Sequence, residues 1–425
     1  MSKTNFEVDR EFALSLDSVD ELADYRQRFV VSDPELIYMD GNSLGRMPKH
    51  AASRIRQVAE EEWGGDLIRA WNSSWYEAPS RLGDKLANLI GANPGTVVIS
   101  DSTSVNLFKL ALGVINLFPE RQQIITDDLN FPSDLYVLQG AVAQREETYR
   151  LKMIHSEDGI RISQKLISSA IDDKTALVTF SHVAFKSGYL YPVHEIVDAA
   201  HAVGALVLVD LSHSVGALPI RLSEWGVDLA IGCTYKHVNG GPGAPAFLYV
   251  RKNLQEKLLS PIWGWFGQQS AFEFGLKYTP REGIHRFLAG TPPILSLLAI
   301  EPALELIEEA GIDNIRKKSV LQTSYMVYLI DNLLAPLGFT LGSPRLPEER
   351  GAHVTLQHPK GYQIAQVLIE EMSVLPDFRA PDNIRFGPAP LYTSFQEIWE
   401  TVHRVKQVVE TGKHDRYLGE SKKVT

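Results

Sequence analysis

The chain has 425 residues, 44% of them hydrophobic and 22% charged, with a formal net charge of −10. That length exceeds one ordinary compact core and predicts two domains or one large α/β unit, and the acidic balance argues against a nucleic-acid binder, which needs a basic face. A single cysteine, Cys233, excludes an intrachain disulfide and a cysteine-built metal site, and no run approaches the ~20 apolar residues of a membrane span.

The opening stretch, MSKTNFEVDREFALSLDSVDELADYRQRF, has no basic segment leading into an apolar one, so it is not read as a signal peptide and a cytoplasmic location is expected. Residues 8–29 mix charged and apolar side chains at helical spacing. LIYMDGNSLGRMP (36–48) is a short apolar strand broken by a polar glycine turn. Helical patterns cover 49–62 and 78–91, the second stopped by GANPG. An alternation then begins: strand 96–100, helix 102–115, strand 123–128, helix 132–144, strand 175–181, helix 192–204 and strands 205–213, 228–234 and 245–250. Continuously apolar strands separated by amphipathic helices predict a mainly parallel sheet covered on both faces. Beyond it, helical stretches 292–311 and 313–335 lead to strand 353–358, helix 361–371, a short strand near 384–386 and a last helix over 394–411, an α+β pattern. The domains expected are an N-terminal segment (1–74) belonging to the small domain and the site's edge, a large domain (75–300) and a small C-terminal domain (301–425). The tail HDRYLGESKKVT reads as frayed.

Ligands of open α/β sheets sit at the carboxyl ends of the strands, so the residues that follow each strand are the candidates. Strand 96–100 runs into DSTSVN, where hydroxyls and the N–H groups of a helix start suit a phosphate, although Thr103 and Ser104 could equally be ordinary caps. After 123–128 come Phe131, a possible aromatic lid or a plain turn residue, and Asp134 in the first helical turn. Asp210 ends an apolar run and needs a partner there, with His213 three residues on. After 228–234 come Tyr235 and Lys236, followed by Asn239, Gly240, Gly241 and Gly243, which permit tight turns and close approach. A desolvated lysine becomes a nucleophilic amine, though a solvated loop lysine is the ordinary alternative. Taken together, these features share one edge of one sheet. They are the set that pyridoxal phosphate (PLP) requires: helix N–H groups for the phosphate, an aromatic face for the ring, a carboxylate for the pyridine nitrogen and a lysine for the Schiff base. The order Asp210 then Lys236 on consecutive strands fits the aspartate-aminotransferase type of α/β fold (fold type I), with a large domain and a smaller α+β domain. Cys233, three residues before Lys236, reads as a small buried hydrophobe.

Several strings then resemble the kynureninase family: YMDGNSLGRMP (38–48), DSTSVNLFK (101–109), NFPSDLY (130–136), VDLSHSVGALP (209–219), TYKHVNGGPGAP (234–245), WGWFGQ (263–268), RFLAGTPPIL (286–295) and IRFGPAPLY (384–392). The resemblance runs in family order from 38 to 392. It implies PLP-dependent hydrolytic cleavage of the Cβ–Cγ bond of L-kynurenine, giving anthranilate and L-alanine, in tryptophan catabolism. It also implies roles. Lys236 would hold the cofactor and shuttle the α-proton. Asp210, helped by Asp134, would pair with the pyridine nitrogen, and Phe131 would stack on the ring. Thr103, Ser104 and Tyr235 would hold the phosphate, with Tyr235 also the acid–base candidate near the γ-carbonyl. Trp265 and Thr291 would reach the site from a neighbouring subunit of a homodimer. Arg385 would clamp the substrate α-carboxylate, and His213, Ser43 and Trp71 would line the pocket. Trp71 and Thr291 resemble the bacterial type, which favours the unsubstituted ring; 3-hydroxykynurenine or another substituted kynurenine is the alternative. A cysteine desulfurase of the same fold would need a cysteine on a mobile loop, where Cys233 does not lie. A non-catalytic binding module would be expected to have lost Lys236 or Asp210. No metal, nucleic-acid or membrane partner is implied.

Overall fold

The computed structural model describes residues 5–145 and 147–417. The chain begins with α1 (Arg10–Ser18), β1 (Ile37–Tyr38), α2 (Lys49–Gln57) and α3 (Ala78–Leu89). There follow β2 (Val97–Ile99), α4 (Thr103–Leu117), β3 (Gln123–Asp127), α5 (Pro132–Ala143), β4 (Arg150–Ile154), α6 (Gln164–Ala170), β5 (Thr175–Ser181), α7 (Val193–Ala202), β6 (Leu206–Asp210), α8 (Leu222–Trp225), β7 (Leu229–Gly232) and β8 (Phe247–Val250). The remainder comprises α9 (Ile294–Leu298), α10 (Glu301–Ala310), α11 (Ile312–Leu329), β9 (Thr340–Leu341), β10 (Val354–Gln357), α12 (Gly361–Glu371), β11 (Val374–Leu375), β12 (Asp377–Arg379), β13 (Asn383–Phe386) and α13 (Phe395–Glu410).

Seven strands form the central sheet in the order β2-β8-β7-β6-β5-β3-β4. From β7 to β4 every pairing is parallel; β8 alone runs the other way, antiparallel to both β7 and β2. Both faces of the central strands are covered: β5, β6, β7 and β8 are buried at every position. In β6, Val207 and Val209 enter the core on one face, while Leu206 and Leu208 enter the core on the other. Each such side chain contributes about 1.5–3 kcal/mol of burial. Reversal of β8 matters for the site, since it brings the start of that strand to the edge where its neighbours end.

Several elements are absent from the sequence reading: β4 and α6 in the central sheet's run, and the short α8, β9, β11 and β12. Strand β4 is the sheet edge, with Arg150 and Lys152 interrupting its apolar residues. Charged residues are a common guard on an edge strand, and they also erase its hydrophobic signal. The expected helix 49–62 ends its α-helical part at Gln57 and continues as a wider π-helical stretch, Val58–Asp66.

A second sheet, β12-β13-β10-β9, is antiparallel throughout and packs against α11, α12 and α13. The N-terminal segment joins it. Strand β1 pairs in parallel with β11, Ile37 opposite Val374. Asp17 accepts the N–H groups of Phe395 (2.7 Å) and Gln396 (2.9 Å) at the start of α13. Ser394 and Glu397 close a capping box on the same helix, and Arg26 grips Glu397 at 2.6 and 2.8 Å. The expected frayed tail lies largely outside the described residues; its first residues, His414 to Arg416, belong to a 3₁₀ turn, Lys413–Arg416. Among the described residues no helix is long and apolar enough to cross a membrane.

Candidate active site

A cavity of about 540 Å³ opens at the strand-end edge of the central sheet. One wall is the turn between β2 and α4. Ser102 caps α4 by accepting the Val105 N–H at 3.3 Å, and Thr103 and Ser104 border the cavity beside it. Ser104 Oγ lies 3.0 Å from Ser133 Oγ, at the start of α5, so two helix N-termini meet here. Such ends carry partial positive charge and favour an anion.

The floor is acidic. Asp210, at the end of β6, accepts the Ser212 hydroxyl at 2.6 Å and its N–H at 2.9 Å. Asp134 hydrogen-bonds to it. Burial raises both carboxyls above their usual range; the neighbouring Asp210 charge raises Asp134 further, whereas Ser212 and Lys236 pull Asp210 back. Asp134 therefore carries the proton and donates it to an anionic Asp210.

Lys236 follows β7 and reaches back over this floor. Its Nζ lies 3.0 Å from His213 Nε2 and 5.8 Å from the centre of the Phe131 ring. Burial, then the Lys236 charge, holds the His213 imidazole well below its normal pKa, so it is neutral and accepts from the ammonium. Its Nδ1 is buried without a protein partner. Phe131 stands 40% exposed over the cavity, held edge-on by Phe185 at 5.2 Å. Burial and the adjacent Cys233 push the Tyr235 phenol above its usual pKa, which keeps its proton in place.

The loop carrying Lys236 is fixed by its neighbours. Asn239 adopts φ 62° and Gly243 φ 76°. The GNSLG turn closes behind it: Gly45 donates its N–H to the Tyr235 carbonyl at 2.9 Å. A Cβ on Gly45 would strike the Lys236 carbonyl, the Asn239 side chain and, at 2.8 Å, Asn239 Cα. On its other side the turn is locked to the end of β13, where Gly387 donates to the Met39 carbonyl at 2.6 Å.

Thus Thr103, Ser104, Phe131, Asp134, Asp210, His213, Tyr235, Lys236 and Thr291 border one cleft. Thr291 belongs to its own chain's wall, and its hydroxyl accepts the Trp265 indole N–H at 3.3 Å. Ser43 and Arg385 are set behind the wall. Arg385, 1% exposed, donates to Ser43 at 2.7 Å, to the Phe185 carbonyl at 2.5 Å and to Asp377 at 2.5 Å, with Asp40 at 3.9 Å. Its charge still reaches His213 and adds to the lowering there. Trp71 is not brought to the cleft; it packs edge-on against Trp75 at 5.5 Å and meets Phe266 at 5.9 Å. Sequence reasoning passed over Ser133, Ser212 and Asp377. Ser212 sits inside DLSHS and was readable as a donor to Asp210. Asp377 was not, since its pairing opposite Arg385 depends on the β12–β13 register.

A neutral acceptor beside a lysine, an anionic carboxylate below it, an aromatic ring above and helix N-termini at one end are the donor set of PLP, and the residues present fit that group. Fold and cleft together define an aminotransferase class-V enzyme, and residues 70–374 match the Aminotransferase class-V family. Among solved structures, a cysteine desulfurase from Thermococcus onnurineus NA1 superimposes with a TM-score of 0.78 at 20% identity, over 91% of this chain and 98% of that one. A cystine C-S lyase mutant with glycine linked to its PLP cofactor superimposes with a TM-score of 0.76 at 21% identity, over 88% and 97%. Those likenesses speak to the fold. Within the class, the chain belongs to the kynureninase family: it is 40% identical over 406 residues to the kynureninase of Pseudomonas fluorescens, covering 94% of this chain and 95% of that protein.

Proposed function

We infer that the protein hydrolyses the Cβ–Cγ bond of L-kynurenine, releasing anthranilate and L-alanine. The observation that carries the reading is Lys236 Nζ at 3.0 Å from His213 Nε2, in the cleft whose floor is the buried Asp210–Asp134 pair. Bound in this cleft, PLP supplies an aldehyde for the substrate amine and a sink for the electrons that build up at the α-carbon. The chain's own groups do the rest. The first turn of α4, with Thr103, Ser104 and Tyr235, holds the phosphate. Phe131 covers the ring. Asp210, kept anionic by Ser212 and by the proton on Asp134, keeps a proton on the pyridine nitrogen. Lys236, once released to the free amine, takes the proton from the substrate α-carbon, with His213 holding Nζ in place. Tyr235 retains its phenol proton and is the acid beside the γ-carbonyl oxygen as water adds there. Arg385, held by Asp377 and Ser43 behind the cleft wall, would exchange its Ser43 contact for the substrate carboxylate to pair with it.

With Trp71 packed away from the cleft, the preference for the unsubstituted ring rests in this reading on Thr291 in the cleft wall. Cys233 is 1% exposed with its Sγ 3.9 Å from the Ser212 carbonyl, a position that serves no persulfide chemistry on a mobile loop. The buried thiol suits a reducing, cytoplasmic compartment. A homodimer sharing its active sites is part of the same reading: Pro292 and Pro293 at the cleft rim continue into an apolar groove lined by exposed Trp63 and Leu295, which a second copy would cover.

The test is a fluorescence assay for anthranilate with purified protein, PLP and L-kynurenine, beside Lys236→Ala. Product from the wild type and none from the variant is the expected result. A yellow, PLP-loaded wild type that forms no anthranilate would refute the substrate, and a protein that binds no PLP would refute the site.

A further inference from the structure

Lys109 lies in the second turn of α4 and is completely buried, a rare state for lysine. Its ammonium donates to Asp101 Oδ2 at 2.7 Å and to the Phe287 carbonyl at 2.7 Å. No step of the proposed reaction uses it. Its neighbours explain where it acts. Asp101, two residues past β2, is in left-handed backbone, φ 51°, a conformation that Asp tolerates, and its carbonyl accepts the Ala246 N–H at 2.8 Å. Its carboxylate is 29% exposed and borders the cleft beside Thr103 and Ser104. An unpaired carboxylate there would repel a phosphate. Phe287 immediately precedes Leu288–Thr291, which form part of the cleft's rim.

We propose that Lys109 is a positioning residue for the cofactor phosphate: it neutralises Asp101 at the phosphate cup and ties that cup to the 288–291 rim. The inference rests on the reading of the cleft as a PLP site. One buried ammonium thus joins the turn at Asp101 to Phe287, which lies 178 residues beyond Lys109 in the chain. A cation satisfied only by Asp101 would neutralise the cup without fixing the rim, and one satisfied only by Phe287 would do the reverse.

The experiment compares PLP with pyridoxal, which lacks the phosphate. Dissociation constants for each are measured by absorbance at fixed ionic strength for the wild type, Lys109→Met, Asp101→Asn and the double variant. Lys109→Met should weaken PLP binding by about tenfold or more, the effect of one uncompensated like charge at a partly desolvated site, and leave pyridoxal within about twofold. Adding Asp101→Asn should recover most of the loss. Equal weakening of PLP and pyridoxal, or no recovery in the double variant, would make Lys109 merely part of the core and overturn the proposal. If Lys109→Met does not fold, Asp101→Asn alone decides. It leaves the ammonium unopposed, so PLP should bind more tightly relative to pyridoxal, and weaker relative binding overturns the charge argument. A wild type that binds neither compound refutes the cleft reading itself, a separate outcome.

Discussion

Replacing Gly45 by alanine tests whether the GNSLG turn sets the position of Lys236. Gly45 needs no left-handed backbone, so the effect is purely one of space. The added Cβ would sit 2.8 Å from Asn239 Cα and closer still to the Lys236 carbonyl. Ordinary contact between such atoms begins near ~3.5 Å, so the turn and the lysine loop must part by roughly 1 Å. Neither side yields easily: the turn is held to Gly387, and the loop is held by the Gly45–Tyr235 hydrogen bond that the separation would stretch. Overpacking of this kind costs about 1–3 kcal/mol of stability. A displacement of ~1 Å at a reacting group lowers turnover by about 10²-fold. The assay is kcat for anthranilate formation with saturating PLP, alongside urea unfolding. Gly140→Ala is the control: nothing stands within 4 Å of its added Cβ, on an exposed face of α5. That variant should keep its activity and gain up to about 1 kcal/mol. If Gly45→Ala unfolds at the wild-type urea concentration with kcat changed by less than about threefold, the turn does not hold Lys236 in the manner the packing implies.

Two further outcomes follow from the buried charges behind the cleft. Burial, reinforced by Asp377, pushes Asp40 up to about 6 from 3.8. The folded state therefore holds that proton more tightly than the unfolded chain, so the contribution is fully present below about pH 4, falls as pH rises through 6 and is flat above; urea midpoints of wild type against Asp40→Asn should diverge over that window by at most about 3 kcal/mol, and parallel curves would dismiss the shift. Arg385→Met should destabilise by about 3–5 kcal/mol, because it strips Asp377 of a guanidinium at 2.5 Å in a site where both side chains are under 5% exposed, leaving Arg379 at 2.9 Å; it should also raise KM for kynurenine, and an unchanged KM would remove Arg385 from the substrate site.

The parallel sheet was legible because its central strands are largely apolar and its helices amphipathic, and the residues after each strand could be placed on one edge by topology alone. Lys236, Asp210, Asp134, Phe131 and the hydroxyls of α4 are local in that sense. What escaped depends on distant partners. β4 hides behind its own charges. Lys109 reads as an ordinary polar position in STSVNLFKLALGVI, and only the arrival of Phe287 makes it buried. Arg385 reads as a surface residue until the β12–β13 register sets Asp377 across from it. Trp71 was placed in the pocket by resemblance, and no spacing rule could have sent it instead against Trp75 and Phe266.

The burial of Cys233 has a practical consequence. Burial raises its pKa, and it is the chain's single sulfhydryl, so the native protein offers alkylating reagents almost no thiolate. The unmodified sequence is therefore already a background for site-directed labelling. One cysteine introduced at an exposed position would be the sole reactive handle, and two, one beside each sheet, would carry a pair of dyes or spin labels that follow the distance between the sheets during turnover without first engineering a thiol away.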